Sequence, residues 1–408
     1  MQRKIKHIRA FVLDNWKVVL LATTTIGFLG LLLVFKLGSL VGGLSGSEYQ
    51  LQQLIAHDGL GLGTVARDAL FLPYNFMLYL LQFTPFTGPT GVRLTGVLFG
   101  LLGAAGMFYI FRTWYTTRVA MLGTILFATS SWFIHAARFA DPAVSYLLLP
   151  LLVAAMIALQ SKVRSRLAIA AVVVFGMAMM YLPGVVLFII PALIIKRKVI
   201  LASFKAQPIW YKITLGLISV IMLIPLLLTL VRPLPGVSTL SNAFSLFGFP
   251  GTDLHSIYAM ISQLRESLLG IFAYSNAGAL YTPGHMPWFD ICTSVLAIIG
   301  IVQFARYWRL DRSKLIGIAA LLSIILIALG GAVSSVVLLP FLFLFVVEGL
   351  KWLLETWLEV FPKNPFARSF AIIMICLLTA SVVSFHINKY YLAWGRAPET
   401  RQVFNNIP

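Results

Sequence analysis

The sequence predicts an all-α integral membrane protein, a polytopic bundle of about eleven transmembrane helices with two long outer loops. Three observations lead to this fold class. The chain has 408 residues, of which 60% are hydrophobic and 11% are charged, whereas a soluble domain carries about 25% charged residues. Apolar runs close to the ~20 residues that cross a bilayer recur along the chain. These runs are continuous and do not alternate with a period of two, so we expect helices rather than barrel strands to satisfy the backbone in lipid.

Loop charge predicts the topology. The net charge of +18 is concentrated in short loops at every second turn, as the positive-inside rule requires of cytoplasmic loops. The N-terminus is therefore placed in the cytoplasm, and an odd number of spans places the C-terminus outside. The same distribution favours contact with anionic membrane lipids over nucleic acid, so we expect a multi-pass protein of the plasma (inner) membrane. The basic clusters are Arg3 to Lys17, Arg112/Arg118, Lys162/Arg164/Arg166, Lys196-Arg197-Lys198, Arg306 to Lys314 and Lys351 to Arg368.

Hydropathy predicts the spans in order, within a single domain that covers residues 1–408. The sixth apolar run is short, and Pro183 and Pro191 bracket it. Cys292 and Cys376 fall in apolar runs and are interpreted as core residues rather than as a disulfide or a metal pair. The predicted spans lie near 18–42, 93–111, 119–136, 142–160, 167–182, 184–195, 212–231, 289–307, 315–331, 333–350 and 370–387.

Two predicted outer loops are long. The first, 43–92, carries two apolar segments that we expect to lie as helices at the outer interface. The second, 232–288, is rich in Gly, Pro, Ser and aromatic residues without being of low complexity, which is typical of a lid or a binding element. A cytoplasmic interfacial helix is predicted over 351–361, and a short outer tail over 388–408.

Charged residues gather on the predicted outer side. Arginine there runs against the positive-inside bias and needs an acid or an anionic ligand as its partner. Glu48 is the first acid after the first span, Arg93 opens the second span, and Arg138 and Asp141 share a very short turn. Arginine suits a phosphate group. Each residue also has a structural interpretation: Glu48 as a solvated loop acid, Arg93 as a snorkelling side chain, and Arg138 with Asp141 as an ion pair that ties two helix ends.

The large outer loop supplies four further candidates, His255, Arg265, Tyr274 and His285, which could bind an acceptor or close a site. The histidines are equally consistent with ordinary surface residues. The pair His57-Asp58 is a weak metal signal because no second histidine stands at ligand spacing. The sequence contains no phosphate-binding P-loop, zinc-protease motif or nucleophile elbow.

Several motifs follow one another in a characteristic order along the first half of the chain: Ser47-Glu48-Tyr49, the proline and aromatic run 72–79, Val92-Arg93-Leu94, and Ala137-Arg138-Phe139-Ala140-Asp141. In this order they resemble the GT-C fold polyprenyl-phosphate-sugar glycosyltransferases, particularly the bacterial relatives of protein O-mannosyltransferases and lipid A aminoarabinose transferases. The likeness covers about residues 1–200 and rests on hydropathy beyond them. The family usually has Asp where this chain has Glu48.

The resemblance implies transfer of a sugar from a polyprenyl-phosphate donor to an acceptor hydroxyl on the outer face, with inversion. By matching position, Glu48 would be the general base, and Arg138 and Arg93 would bind the donor phosphate. Asp141 would orient the arginines or act as a second acid. The acceptor would be a protein, a lipid or a glycan. The resemblance requires no cofactor, although a divalent metal at Glu48 and Asp141 is compatible with it.

Three other classes of protein compete with this interpretation. A lipid-linked glycan ligase or polymerase would also use outer arginines to hold a lipid phosphate. A lipid or sugar transporter (flippase) would place ionisable groups at the bilayer midplane and show internal repeats. Here the spans are almost free of charge and the acids lie at outer helix ends, which favours an interfacial enzyme. The same cluster of charges argues against a non-catalytic scaffold.

Overall fold

The computed structural model describes residues 24, 27–53, 55, 61, 70–86, 88–161, 165–231, 239–250, 257–331 and 333–404. Within these ranges the chain is helical and contains no strand, which confirms the all-α fold class. A first helical segment covers 27–34 and ends well before residue 42, where the first predicted span ended. The later α-helices are α1 (Gly46–Gln53), α2 (Leu72–Leu81), α3 (Gly88–Trp114), α4 (Thr117–Thr129), α5 (Ser131–Arg138), α6 (Leu149–Ser161), α7 (Arg166–Met179), α8 (Val185–Lys205), α9 (Ile209–Val231), α10 (Thr239–Leu246), α11 (Ile257–Phe272), α12 (Ile291–Arg306), α13 (Asp311–Ala328), α14 (Leu338–Val360), α15 (Pro365–Asn388) and α16 (Pro398–Phe404), with 3₁₀ helices at Pro142–Leu148 and Ser335–Val337 and a π-helical turn at Lys389–Trp394.

Several helices have the length and composition to cross a membrane. In the described part of the chain there are five, or six if α4 and α5, which meet at a bend of 58°, form one span. Other predicted spans correspond to helices that are shorter, such as α7, or that begin with several charges, such as α13. The structure is therefore that of a multi-pass membrane bundle, but it does not confirm the number eleven. The five are Gly88–Trp114, Pro142–Ser161, Ile209–Val231, Ser335–Val360 and Pro365–Trp394.

The predicted span 119–136 is broken in the structure. α4 ends at Thr129, and Ser130 caps the start of α5 because its hydroxyl accepts a hydrogen bond from the Phe133 amide at 3.2 Å. A serine N-cap satisfies a backbone donor that a continuous helix would have paired internally. The break turns α5 by 58° away from α4.

Two helices are longer than the sequence predicted. α8 contains Pro191 and continues through the basic run to Lys205, instead of ending at 195. α14 joins the predicted span 333–350 to the segment 351–361, which was predicted as a separate interfacial helix. No helix breaker separates these segments, and Lys351 pairs along the helix with Glu348 at 3.3 Å and with Glu355 at 3.5 Å, which supports a continuous helix.

The bundle packs most closely between α12 and α14. A Cβ added at Gly300 would lie 1.8 Å from the carbonyl oxygen of Phe345, and one added at Gly349 would lie 2.0 Å from that of Leu296. Glycine at these positions lets the two backbones touch, as in other membrane helix pairs. The interpretation of Cys292 and Cys376 as core residues was wrong: both are free and exposed, because an apolar run in a membrane protein also has a side that faces lipid.

The segment predicted as a short outer tail is folded. The π-helical turn extends α15, and α16 follows it. Phe404, at the end of α16, is fully buried and packs edge-on against Phe139 at 6.3 Å and Trp394 at 5.7 Å between ring centroids. The described part of 43–92 likewise contains two complete helices, α1 and α2, and the start of α3 at Gly88.

Candidate functional site

Four of the predicted site residues, Glu48, Arg93, Arg138 and Asp141, come together at one end of the bundle, here called the cavity end. α3, α12 and α14 begin there, and α5 and α15 end there. The opposite end, here called the far end, carries the loop at 361–364 and the ion pair of Lys196 with Asp311 at 2.7 Å.

Glu48 and Arg93 form a buried, bidentate ion pair at the cavity end. Nε of Arg93 donates to Oε1 of Glu48 at 2.8 Å, and an Nη donates to Oε2 at 2.7 Å. Glu48 is 0% exposed and Arg93 4%. Glu48 is therefore not a solvated loop acid, and Arg93 does not snorkel. Bidentate charge-assisted pairing is the strong form of this contact.

The ion pair joins several segments of the chain. Glu48 also accepts hydrogen bonds from the amides of Ser45 at 3.0 Å and Ala140 at 3.2 Å. Arg93 donates further hydrogen bonds to the carbonyls of Leu37 and Gly43. Because the Ser45 hydroxyl in turn accepts from the Glu48 amide at 3.3 Å, residues 45–48 form a capping box that starts α1.

Arg138 lies at the end of α5 and is also buried, with 3% exposure. One of its Nη atoms donates to the carbonyls of Leu32 and Leu33 and to the Tyr391 hydroxyl, each at 2.9 Å. It thus supplies donors to carbonyls at the end of the helical segment 27–34, where intrahelical partners run out. Its Nε has no hydrogen-bond partner among the described residues. No ion pair joins Arg138 to Asp141 in this part of the chain, so the predicted tie between the two helix ends is absent.

Asp141 lines the main cavity of the cavity end, which has a volume of about 240 Å³. It caps the following 3₁₀ helix by accepting from the Ala143 amide at 2.8 Å. Burial raises the pKa of its carboxyl group above the usual value, against the opposing effect of that hydrogen bond. Asp141 is the only carboxylate among the described residues of the wall. The cavity is lined by Trp132, His135, Ala136, Phe139, Asp141, Ala143, Val144, Ala277, Tyr281, Trp288, Ser334, Ser335 and Val336.

His135 is the second ionisable residue of the wall. The sequence places it in the same short segment as Arg138 and Asp141, but no role was predicted for it. It lies on α5, one turn before Arg138, and is 4% exposed. Neither of its ring nitrogens has a hydrogen-bond partner among the described residues. The available signal was its helical spacing from Arg138, which puts both residues on one short helix.

A second, smaller cavity of about 10 Å³ lies beside the first, and Phe139 lines both. Arg93 and Arg138 both line this second cavity, together with residues of the C-terminal segment. The Arg93 guanidinium lies 5.8 Å from the ring centroid of Phe404, and that of Arg138 lies 5.1 Å from that of Tyr391. Aromatic side chains from 389–404 therefore cover the two arginines.

One solved structure is similar to this arrangement of helices over almost the whole chain. It is the crystal structure of ArnT from Cupriavidus metallidurans in the apo state, with a TM-score of 0.52 and 14% sequence identity. The match covers 96% of this chain and 78% of that chain. The chain shares the fold of ArnT. No protein-family model matches the sequence, and a search of curated proteins gives no match.

A buried polar network adjoins residues of the cavity wall. Nδ1 of His386 lies 3.1 Å from the Ser131 hydroxyl, and its Nε2 lies 3.0 Å from a carboxylate oxygen of Asp290. Asp290 also caps α12. The network ties α5, α12 and α15 together behind the stacked rings of the wall, Trp132 and Trp288, whose centroids are 5.3 Å apart.

The four candidates from the large loop are not gathered around the cavity. His255 lies outside the described residues. Arg265 is exposed and lies 3.8 Å from Glu266. Tyr274 and His285 stack on each other at 4.5 Å, and neither lines the cavity. The same loop instead contributes Ala277, Tyr281 and Trp288 to the wall.

The two carboxylates that the resemblance makes compatible with a metal, Glu48 and Asp141, do not form a ready binding site. The described residues contain no group of three or more His, Cys, Asp or Glu side chains that could hold a metal ion. Arg93 occupies both oxygens of Glu48, so Glu48 and Asp141 do not fit a shared cation in this arrangement.

Proposed function

We propose that this chain is a membrane glycosyltransferase that moves one sugar from a polyprenyl-phosphate donor to an acceptor hydroxyl. The shared fold supports this class, because ArnT is a GT-C lipid A aminoarabinose transferase, and the motif order of residues 1–200 independently resembles the same group of enzymes. A bundle whose cavity opens at the ends of apolar helices suits a donor that arrives from the bilayer and an acceptor that arrives from water.

The observation that carries the proposal is Asp141 in the cavity wall. An acceptor hydroxyl that attacks the anomeric carbon must lose its proton, and a carboxylate within the cavity can take it. The bond between the sugar and the phosphate oxygen breaks at the same time, and its electron pair leaves with the lipid phosphate. Burial raises the pKa of Asp141, which makes it a stronger base than an exposed carboxylate. Attack on the face opposite to the phosphate inverts the anomeric carbon.

Arg93 and Arg138 are the proposed partners of the departing phosphate. They line the small cavity on the other side of Phe139, so a sugar in the main cavity would have its phosphate directed towards them. Preorganised cations stabilise charge that develops in the transition state. The unpartnered Nε of Arg138 is a free donor among the described residues. A phosphate that reaches both arginines must displace part of the covering segment 389–404.

Glu48 has a different proposed role in this arrangement from the general base that the sequence predicted. Both of its oxygens are engaged by Arg93 and by backbone amides, and it does not line the main cavity. We assign it to holding Arg93 in place. A general base at Glu48 would require the ion pair with Arg93 to open, and the two roles can be separated by experiment.

Sugar transfer by the purified protein in nanodiscs tests the proposal. The donors are polyprenyl phosphates that carry a labelled glucose, mannose or arabinose, and the anomeric configuration of the product is read by NMR. We expect Asp141→Asn to slow transfer by about 10²- to 10⁴-fold, Glu48→Gln to weaken it less, and Asp311→Asn, which removes an exposed acid at the far end, to leave it unchanged.

Each alternative has its own outcome. Loss of transfer in Glu48→Gln with near-normal transfer in Asp141→Asn would return the general base to Glu48. A product with several added sugars would indicate a lipid-linked glycan polymerase. Donor binding without transfer, together with movement of the donor between leaflets, would indicate a transporter.

A further inference from the structure

His135 is a buried polar side chain for which the described part of the chain supplies no hydrogen-bond partner. Its imidazole is enclosed by aromatic rings whose centroids lie 5.0 to 6.2 Å away. Aromatic ring faces are poor hydrogen-bond acceptors, and none of the described residues bonds to either nitrogen. The enclosing rings are Phe139, Tyr281, Trp288, Tyr390 and Trp394.

Such a residue is unusual because buried polar groups are nearly always hydrogen-bonded. Among the described residues, His386 differs in that polar groups lie beside both of its nitrogens: Nδ1 is 3.1 Å from the Ser131 hydroxyl, and Nε2 is within ion-pair distance of Asp290 at 3.0 Å, although without hydrogen-bond geometry. A neutral imidazole offers one donor and one acceptor. At His135 both are unpaired among the described residues, and the residue itself forms part of the cavity wall.

The chemistry of the wall restricts the occupant. The cavity of about 240 Å³ is far larger than the ~10–15 Å³ that one bridging water needs, and it lies below the ~300–1,000 Å³ of pockets for drug-sized ligands. Asp141 disfavours an anion inside it. The aromatic residues Trp132, Tyr281 and Trp288 line it. A single sugar ring has C–H faces that pack on such rings and hydroxyl groups that both donate and accept hydrogen bonds.

We propose that His135 determines the specificity of this cavity by hydrogen-bonding a hydroxyl group of one sugar ring, which packs against Trp288 and Tyr281. This inference rests on the proposed function for the identity of the ligand as a lipid-linked sugar. It adds a recognition residue that takes no part in breaking or forming the glycosidic bond. His135 and Asp141 then contact different groups of the same sugar.

Equilibrium binding in nanodiscs separates the sugar from its carrier. The probes are bare polyprenyl phosphate and polyprenyl phosphate that carries glucose, mannose or arabinose, and the measured quantity is the ratio of their dissociation constants. We expect the wild type to prefer at least one sugar-bearing probe. His135→Phe keeps the ring packing but removes both polar nitrogens, and it should reduce that preference by about tenfold, the value of one hydrogen bond of ~1.4 kcal/mol, without changing affinity for the bare carrier.

Two companion variants make the comparison specific. His135→Gln restores a donor and an acceptor and should recover part of the preference. Thr379→Val removes another buried hydroxyl that lacks a partner in the described chain but lies outside the cavity wall, and it should leave the preference unchanged. Equal preference in wild type and His135→Phe would overturn the proposal, as would an equal loss in His135→Phe and Thr379→Val.

A series of singly deoxygenated sugars on the preferred carrier tests the wild type without any substitution. We expect removal of one particular hydroxyl to weaken binding about tenfold and removal of the others to matter less. A flat series overturns the proposal whether or not the variants fold. Selective binding without transfer would keep the role of His135 and remove the proposed transferase activity. Transfer together with a flat series would keep the proposed transferase activity and remove the role of His135.

Discussion

Asp141 combines a place in the cavity wall with a carboxyl group whose pKa burial raises. A general base works only when it is ionised, so activity should fall as the pH drops through this raised pKa. We therefore expect the acid limb of kcat/KM to lie above the value near 3.9 that an ordinary aspartate would give. Asp141→Asn should lose about 10²- to 10⁴-fold in rate and should also lose this limb, as measured by transfer rates across the pH range. An Asp141→Asn enzyme with the wild-type profile would contradict the assignment.

The ion pair of Glu48 with Arg93 leads to a prediction about stability. Removing one partner of a buried pair leaves an uncompensated charge, at a cost of about 3–5 kcal/mol. We expect Arg93→Met to lower the thermal unfolding temperature in detergent strongly. The double variant Arg93→Met/Glu48→Leu should recover a large part of that loss, because neither charge then remains buried.

The control for this prediction is Arg265→Met. Arg265 is exposed and lies 3.8 Å from Glu266. Because surface pairs contribute about 0–1 kcal/mol, this variant should lose little stability. If the double variant were as unstable as Arg93→Met alone, the loss would reflect packing and carbonyl contacts rather than the unpaired Glu48.

The sequence predicted a common location for four polar residues more readily than it predicted their partners. Glu48, Arg93, Arg138 and Asp141 were all predicted for one face, and all lie at the cavity end. Their pairing could not be predicted, because Glu48 and Arg93 are 45 positions apart and outer arginines were equally able to bind a ligand. The capping box at Ser45 and Glu48 was a local signal that could have indicated a structural role for the acid.

At the scale of elements, α5 carries most of the site. This short helix begins at the cap provided by Ser130, places His135 in the main cavity wall and Arg138 at the second cavity, and is followed directly by Phe139, which lines both. Hydropathy predicted one span over 119–136 because an apolar pattern does not register a cap within it. Hydropathy also predicted a boundary between residues 350 and 351, where charged residues begin to appear. The helix α14 continues through this position.

The contact between α12 and α14 gives an element-scale prediction. A Cβ at Gly300 would lie 1.8 Å from the Phe345 carbonyl oxygen, whereas one at Gly216 on α9 would meet nothing within 4 Å. Gly300→Ala should therefore force the two helices apart and lower the thermal unfolding temperature. Gly216→Ala should keep or raise it, because Ala is favoured over Gly in a helix by up to about 1 kcal/mol. Equal behaviour of the two variants in detergent would contradict the close backbone contact.

At the scale of the whole molecule, the sequence predicted a membrane helical bundle. It did not predict that residues 389–404 cover the two arginines of the site. Composition and run length are averaged over many residues, so the membrane bundle followed from the sequence. The folding of 389–404 over the arginines depends on single aromatic contacts, such as that of Phe404 with Phe139, between positions far apart in the chain. A short polar tail with scattered aromatic residues carries no local signal of where it will dock.

The orientation of the bundle is the remaining whole-molecule prediction. Loop charge places the cavity end outside and the far end in the cytoplasm, which is also what a donor on the outer leaflet requires. Glu399 on α16 and Lys363 between α14 and α15 are both exposed and belong to opposite ends. In a background with both exposed cysteines replaced, Cys292→Ser and Cys376→Ser, a membrane-impermeant maleimide added to intact cells should label Glu399→Cys.

Lys363→Cys serves as the matched control in the same background. It should react only after the membrane is permeabilised, because the reagent cannot reach a cytoplasmic loop. The reverse pattern would place the cavity on the cytoplasmic side and contradict a reaction on the outer face. The roles of Asp141 and His135 would still be tested by the transfer and binding experiments. Labelling of both variants in intact cells would instead mean that 361–364 and α16 share one side of the membrane. The helix α14 runs from the cavity wall to residue 360. Labelling of both variants would contradict the interpretation that α14 crosses the bilayer as a single span.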